Sequence, residues 1–161
     1  PRSNYPQDHF TVEQVQMKQV ICLGSFQGSD RLGWDIAQAL EQRLARQGTP
    51  DIHVRACASP AQLPGMLGNT EALLIVDALA GVPAGEVRLL LPEELQRAPA
   101  FSSHGVDLVM ALELARALGD LPGQVCIIGI GVGDPAQDAA PAVEAVLPEV
   151  WSVLVEELGA I

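Results

Sequence analysis

The sequence is poor in basic residues, and it has no hydrophobic run long enough to cross a membrane. Nine lysines and arginines stand against 20 acidic residues in 161, which gives a formal net charge of −11. Nucleic acids and anionic membranes are bound through clustered Lys and Arg, so the charge argues against both as partners. A spanning helix needs about 20 consecutive apolar residues. We therefore predict no nucleic-acid and no membrane partner, while a basic peptide or a metal ion suits the charge.

Cysteines are also few, and the motifs of the common hydrolases are missing. Cys22, Cys57 and Cys126 are widely spaced and form neither a CxxC pair nor an even disulfide framework. A chain without a disulfide framework fits a reducing compartment, so we expect a cytoplasmic protein. The sequence contains no GxSxG nucleophile elbow and no HExxH zinc-binding helix. A conventional self-contained protease is therefore not predicted.

What the sequence does have is a high apolar content, 48%, arranged in alternating strand and helix patterns. Residues 1–16 are polar and aperiodic, which predicts a flexible N-terminal extension before a single domain over residues 17–161. Continuous apolar runs at about 72–76, leading into Asp77, and at 125–130 predict strands that are buried on both faces. The alternation predicts an α/β fold, a three-layer α/β/α sandwich with a mostly parallel central sheet of about five strands.

The predicted helices lie between these strands, at about 30–46, 106–118 and 141–158. The helix over 106–118 has an apolar stripe that should face the sheet, made of Leu108, Ala111, Leu112, Ala115 and Leu118. Pro141 fits the first turn of the last helix. Residues 131–138 are predicted to form a loop.

Three polar residues come at points where such a fold builds ligand sites. Asp77 follows the apolar run Leu73–Val76 and is predicted at the carboxyl end of a central strand, where open α/β sheets bind ligands. Asp30 lies after the first strand, at a helix start, and His104 lies just before another helix. Each could instead be a simple loop or helix cap. Together, two carboxylates and one imidazole suit a divalent metal of intermediate softness, such as Zn or Ni.

The motifs around these residues resemble those of the nickel-iron hydrogenase maturation endopeptidases. Leu23-Gly24 followed by Asp30-Arg31-Leu32-Gly33 matches the first family motif, although Ser25 stands where the family usually has Asn. The strand ending in Asp77 and the turn Val82-Pro83-Ala84-Gly85 match the second motif. Ser102-Ser103-His104, followed by a leucine-rich helix, matches the third.

The resemblance implies an endopeptidase that removes the C-terminal extension of a nickel-iron hydrogenase large-subunit precursor after nickel insertion. Asp30, Asp77 and His104 would then contact nickel that the substrate supplies, Zn or Cd being able to substitute, with no organic cofactor. Asp77 is also the candidate general base of an aspartic-type mechanism.

Two other functions stay open on the sequence. A non-catalytic hydrogenase assembly chaperone or scaffold would share the family motifs. A nucleotide- or phosphate-binding module could use the GxGxG run at residues 129–133, although this run lacks the third spaced glycine of the dinucleotide fingerprint.

Overall fold

A computed structural model of the chain describes residues 16–25, 31–97, 104–137 and 140–159. The predicted extension over residues 1–16 lies outside these ranges, except for Gln16. Asp30 also lies outside them. Within the described ranges, no helix combines the length and the apolar character that crossing a membrane requires.

A sheet of five strands organises the molecule. The strands are β1 (Met17–Leu23), β2 (Ile52–Cys57), β3 (Thr70–Ala80), β4 (Val87–Leu90) and β5 (Gln124–Gly133). Their order across the sheet is β2-β1-β3-β5-β4. Strands β2, β1, β3 and β5 run parallel, and the edge strand β4 is antiparallel to β5. The predicted mostly parallel sheet is confirmed.

Helices cover both faces of this sheet, as the three-layer prediction required. The α-helices are α1 (Arg31–Gln47), α2 (Pro92–Arg97), α3 (Gly105–Leu118) and α4 (Val143–Leu158), and a 3₁₀ helix spans Pro60–Met66. Helices α1 and α4 pack on one face, over a core that includes Val20, Leu74 and Ile128. The 3₁₀ helix, α2 and α3 pack on the other face, over Ile21, Ile75 and Ile127.

Two strands are longer than the sequence indicated. Strand β3 continues past Asp77 to Ala80, and β5 continues to Gly133, because the two extensions pair with each other up to the Ala80–Gly133 partners. The loop predicted over residues 131–138 is therefore wrong for its first three residues. Asp77 accordingly lies inside β3 and not at its end.

Two helix predictions also need correction. The inner stripe predicted for α3 includes Leu118, but this residue is 60% exposed. It is the last residue of the helix and follows Leu114 by four positions, so it lies nearer the outer side than the buried residues do. Pro141 precedes α4, which begins at Val143, so it lies before the first turn.

The start of α1 approaches the end of β1 very closely. A Cβ atom at Gly33 would lie 1.9 Å from the carbonyl oxygen of Leu23, so only glycine fits there without movement of the backbone. Farther along, Arg43 lies 4.2 Å from the ring centroid of Trp151 on α4, a cation–π contact that links the two helices. The close approach at Gly33 places the N-terminal end of α1 beside the carboxyl end of β1.

Candidate functional site

Asp77 lies at the topological switch point of the sheet, where the strand order changes direction. The chain passes from β1 to β2 on one side, and β3 then pairs with β1 on the other side. The last residue of β3 that pairs with β1 is Val76, opposite Cys22. Asp77 is therefore the first β3 residue beyond β1, in the crevice where α/β sheets of this type bind ligands.

The alternation of side chains along β3 decides which helices Asp77 can meet. Leu73 and Ile75 belong to the core beneath α3, whereas Leu74 and Val76 belong to the core beneath α1 and α4. Because successive residues of a strand point to opposite faces, Asp77 shares the α3 face with Leu73 and Ile75. Its carboxylate is buried, with only 2% of the residue exposed.

The side chain of His104 contacts this carboxylate. Its Nδ1 lies 3.0 Å from Asp77 Oδ1, and its side chain is 16% exposed. The same Asp77 oxygen accepts a hydrogen bond of 2.9 Å from the backbone N–H of Ala78. A buried carboxylate needs such partners, because its desolvation is costly without them.

His104 occupies the N-cap position of α3 without using its side chain as a cap. Its backbone carbonyl accepts the hydrogen bond from the N–H of Leu108, while the ring makes no capping hydrogen bond. The capping interpretation of this histidine is therefore not supported. The ring turns instead toward β3, which brings two of the three predicted site residues together.

The third predicted residue, Asp30, lies outside the described residues. In the part of the chain that the structure does describe, no three His, Cys, Asp or Glu side chains are grouped so that they could hold a metal ion. The neighbouring acid Asp35 contacts Arg31 on the surface of α1, at 3.3 Å. Its side chain is 40% exposed, unlike the buried carboxylate of Asp77.

The contact between Asp77 and His104 has two chemical uses. When Nδ1 carries the proton, it donates to Asp77, and Nε2 becomes the nitrogen with a lone pair. A nitrogen of this kind, held by a carboxylate, is a good ligand for a divalent metal and a good general base. The buried carboxylate also fixes the orientation of the ring.

The glycine-rich run at the end of β5 serves the sheet and does not form a phosphate cradle. The N–H of Gly131 donates to the carbonyl of Glu86 at 2.7 Å, and that of Gly133 donates to Val82 at 2.8 Å. A Cβ atom at Gly131 would lie 2.1 Å from the carbonyl oxygen of Pro83. These glycines let the segment after β3 pack against β5, so the phosphate-binding hypothesis loses its main feature.

The three cysteines are free and buried, and none has the properties of a nucleophile. Burial raises the pKa of the Cys22 and Cys57 thiols above the ordinary value. Burial, together with the hydrogen bond to Glu157, raises the pKa of Cys126 to about 11. Reactive thiols need lowered pKa values, so catalysis by cysteine is not supported.

A family model described as "Hydrogenase maturation protease" matches residues 35–157 of this chain. That range covers most of the domain and includes Asp77 and His104. The chain belongs to the hydrogenase maturation protease family. It is therefore a peptidase of hydrogenase maturation, as the resemblance of its motifs implied. The matched range begins after Asp30. No curated protein matches the chain in sequence.

Solved structures of hydrogenase maturation proteases share this fold. The maturating endopeptidase HybD of E. coli superposes with a TM-score of 0.63 at 22% identity, over 88% of this chain and 93% of its own. HybD of Thermococcus kodakarensis gives 0.65 at 19% identity, over 91% of this chain and 100% of its own. HycI of T. kodakarensis KOD1 superposes with a TM-score of 0.63 at 19% identity, over 89% of this chain and 93% of its own. At these identities the likeness shows the α/β fold.

Two features of this protease were not predicted from its sequence. The N–H of Ala78, a partner of the Asp77 carboxylate, belongs to a strand extension that only the pairing with β5 reveals. The outer side of α3 carries exposed apolar residues, among them Val106, Met110 and Leu114. The second feature has a sequence signal, since these apolar residues recur every four positions beside the buried stripe.

Proposed function

We propose that this hydrogenase maturation protease removes the C-terminal extension of a nickel-iron hydrogenase large-subunit precursor after nickel has been inserted. The nickel belongs to the substrate, and Asp30, Asp77 and His104 contact it during recognition. Cleavage thereby follows correct metal insertion. Zn or Cd can take the place of nickel at these residues, and no organic cofactor takes part.

The observation that carries this proposal is the contact between Asp77 Oδ1 and His104 Nδ1, 3.0 Å long, in the crevice between β1 and β3. A carboxylate and an imidazole are the donors that a borderline metal accepts. In the sequence Asp30 comes between β1, the strand on the other side of that crevice, and α1, which supports this residue as the third contact. Three protein donors leave coordination positions open for the groups of the precursor.

The same pair supports a division of roles at the site. Because Nδ1 faces Asp77, Nε2 is the imidazole nitrogen that is offered to the nickel. Asp77 acts as the general base toward the attacking water in an aspartic-type hydrolysis, and its burial keeps that carboxylate away from bulk solvent. A metal near a peptide carbonyl can also polarise it, an effect worth several kcal/mol in metal hydrolases.

We further propose that the protease works in the cytoplasm on a single class of partner, the precursor of the large subunit. Three free, buried thiols and the absence of a disulfide in the chain support a reducing compartment. The net charge of −11 supports a protein partner and not a nucleic acid.

The test compares nickel-loaded and nickel-free precursor, with the product weighed by mass spectrometry. The wild-type protein should shorten only the nickel-loaded form. Asp77→Asn should stay folded and lose processing by at least about 10³-fold, since a general base and a metal contact are lost together. Asp35→Asn is the matched control, because this acid lies on the surface and contacts Arg31; its activity should be unchanged.

Each alternative result has a definite meaning. Normal processing by Asp77→Asn would remove Asp77 from the mechanism. Tight binding of the precursor by the wild-type protein without any shortening would favour the assembly scaffold. Equal cleavage of both precursor forms would refute recognition of the metal.

A metal analysis tests whether the nickel arrives with the substrate. Because the proposed contacts are two carboxylates and one imidazole with open positions, the purified protein should keep far less than one equivalent of metal after dialysis against a chelator. Inductively coupled plasma mass spectrometry measures this content. One equivalent of tightly held metal would show a resident cofactor and contradict the proposal.

A further inference from the structure

Helix α3 carries a row of apolar side chains on its solvent side, which we call the outer ridge. It consists of Val106, Met110, Leu114 and Leu118, which are 61%, 65%, 52% and 60% exposed. The four residues are spaced by four positions, which is the spacing of a packing ridge on a helix. The last residue follows the first by twelve positions, and at a rise of about 1.5 Å per residue the ridge is about 18 Å long.

The opposite side of the same helix is already buried. Leu108, Ala111, Leu112 and Ala115 pack into the core beneath α3. A helix that is apolar on both sides is normally buried on both sides. Single exposed apolar residues need no explanation, but a continuous row of four indicates a binding surface.

The position of the ridge indicates what binds there. It begins two residues after His104, whose ring contacts Asp77 in the candidate site. A polypeptide held at the site therefore lies close to the N-terminal end of the ridge. Exposed acids border it, Asp107 at its beginning and Asp120 just beyond its end. A partner with an apolar segment flanked by basic residues is complementary to this surface.

We infer that the outer ridge of α3 is the docking surface for an apolar, basic-flanked segment of the hydrogenase large-subunit precursor, separate from the bond that is cleaved. This inference rests on the proposed function, since that function supplies the partner. The ridge holds the body of the precursor while Asp77 and His104 engage the reacting end.

The size of the ridge favours a substrate over a second copy of the chain. A single row of four side chains offers an area on the order of a few hundred Å², whereas a stable interface buries about 800 Å² on each partner. The ridge alone is too small for a stable dimer. Combined with the neighbouring site, it is suitable as the anchor of an enzyme–substrate interface.

Thiol labelling tests the inference directly, because Cys22, Cys57 and Cys126 are all buried. Met110→Cys introduces an exposed thiol on the ridge, in an Asp77→Asn background that keeps the precursor uncut. In the free protein this thiol should react with a maleimide at the rate of a model peptide thiol. Saturating nickel-loaded precursor should slow the reaction at least about tenfold, as burial in an interface excludes the reagent.

Leu89→Cys is the matched control for labelling. Leu89 is 45% exposed, and it pairs with Ile128, whose side chain lies on the α1 and α4 face of the sheet. Residues directly opposite in an antiparallel pair share a face, so Leu89 points away from α3. The precursor should leave its labelling rate unchanged.

Kinetics provide the second measurement. The double variant Met110→Gln/Leu114→Gln, with Asp77 intact, should raise KM for the precursor roughly 10- to 100-fold while kcat stays within about twofold, because only uniform binding is lost. Leu89→Gln should change neither constant. A raised KM with an unchanged kcat indicates lost docking, whereas a disturbed site would lower kcat.

Other results overturn the inference. A precursor that fails to protect Met110→Cys refutes docking on the ridge, and so does an unchanged KM in the double variant. Slow labelling of the free protein means that something else covers the ridge: a second copy if dilution restores the rate, and another part of the same chain if it does not. Protection by a precursor that the wild-type protein never cleaves would keep the docking surface and refute the proposed function.

Discussion

Gly33 at the start of α1 allows a sharp test of how the helix positions the site. Replacing it with alanine places a Cβ 1.9 Å from the carbonyl oxygen of Leu23 and 2.9 Å from its carbonyl carbon. Both atoms belong to the backbone of β1, so no side-chain rotation can relieve the clash. Helix α1 must move by about 1 Å to bring the oxygen to the 3.0 Å limit of real contacts.

The expected cost follows from two opposing effects. Overpacking that shifts backbone costs typically about 1–3 kcal/mol. Alanine regains at most about 1 kcal/mol through its higher helix propensity. The net loss in the free energy of unfolding should be about 0–2 kcal/mol, which lowers Tm by up to roughly 8 °C for a chain of this length.

The rate of precursor processing should be affected more strongly by this variant than its free energy of unfolding. The displaced end of α1 lies beside the end of β1, directly at the crevice that contains Asp77. A misplacement of about 1 Å in a catalytic arrangement can cost around 10²-fold in rate. We therefore expect Gly33→Ala to remain folded at 25 °C, with kcat for precursor processing reduced by one to two orders of magnitude.

Gly65→Ala is the matched control for this variant. No heavy atom lies within 4 Å of a Cβ at Gly65, and its φ is not positive. Its Tm should be unchanged or slightly raised, with normal processing. If Gly33→Ala matched this control in both Tm and kcat, the close approach of α1 to β1 would have no role in the fold or the site.

Two further predictions concern parts of the fold away from Asp77. The Lys18 ammonium donates a hydrogen bond to the carbonyl of Leu158 at 2.8 Å, in the last turn of α4. Lys18→Met should lower the free energy of unfolding, measured by urea denaturation, by about 0.5–1.5 kcal/mol and increase amide exchange in that turn. Unchanged stability would refute this prediction. The pKa of Cys126 is raised from 9.0 to about 11, chiefly by burial. The unfolded thiol loses its proton first, so stability should fall as pH rises from about 9 to 11. Cys126→Ala should reduce that slope, and an equal slope in urea midpoints would contradict the assignment.

Much of the fold could be predicted because its central strands are short, continuous apolar runs. Such runs identify β3 and β5 as buried on both faces, and the alternation with helices fixes the layers. The ends of these strands could not be predicted. Residues 78–80 and 131–133 are strands only because they pair with each other across about 50 positions of sequence, and small residues there give a loop signal.

The site was predictable as a set of residues but not as a geometry. Motif spacing brought out Asp77 and His104, and the family resemblance agreed with them. The 3.0 Å contact depends on the placement of His104, at the start of α3, against β3, which no local pattern encodes. The metal-contact role of these residues and of Asp30 remains a prediction.

The register of β3 explains why this aspartate has a histidine as its partner. Asp77 faces α3 because it lies an even number of residues from Leu73 and Ile75, which pack beneath that helix. A slip of one residue would turn it toward α1 and α4 and leave the carboxylate buried among Ile128, Ile130 and other apolar residues of that core. Burying an unpaired carboxylate there costs several kcal/mol, so the charge itself opposes the wrong register. The residue proposed as the general base therefore also helps to set the alignment of the strand that carries it.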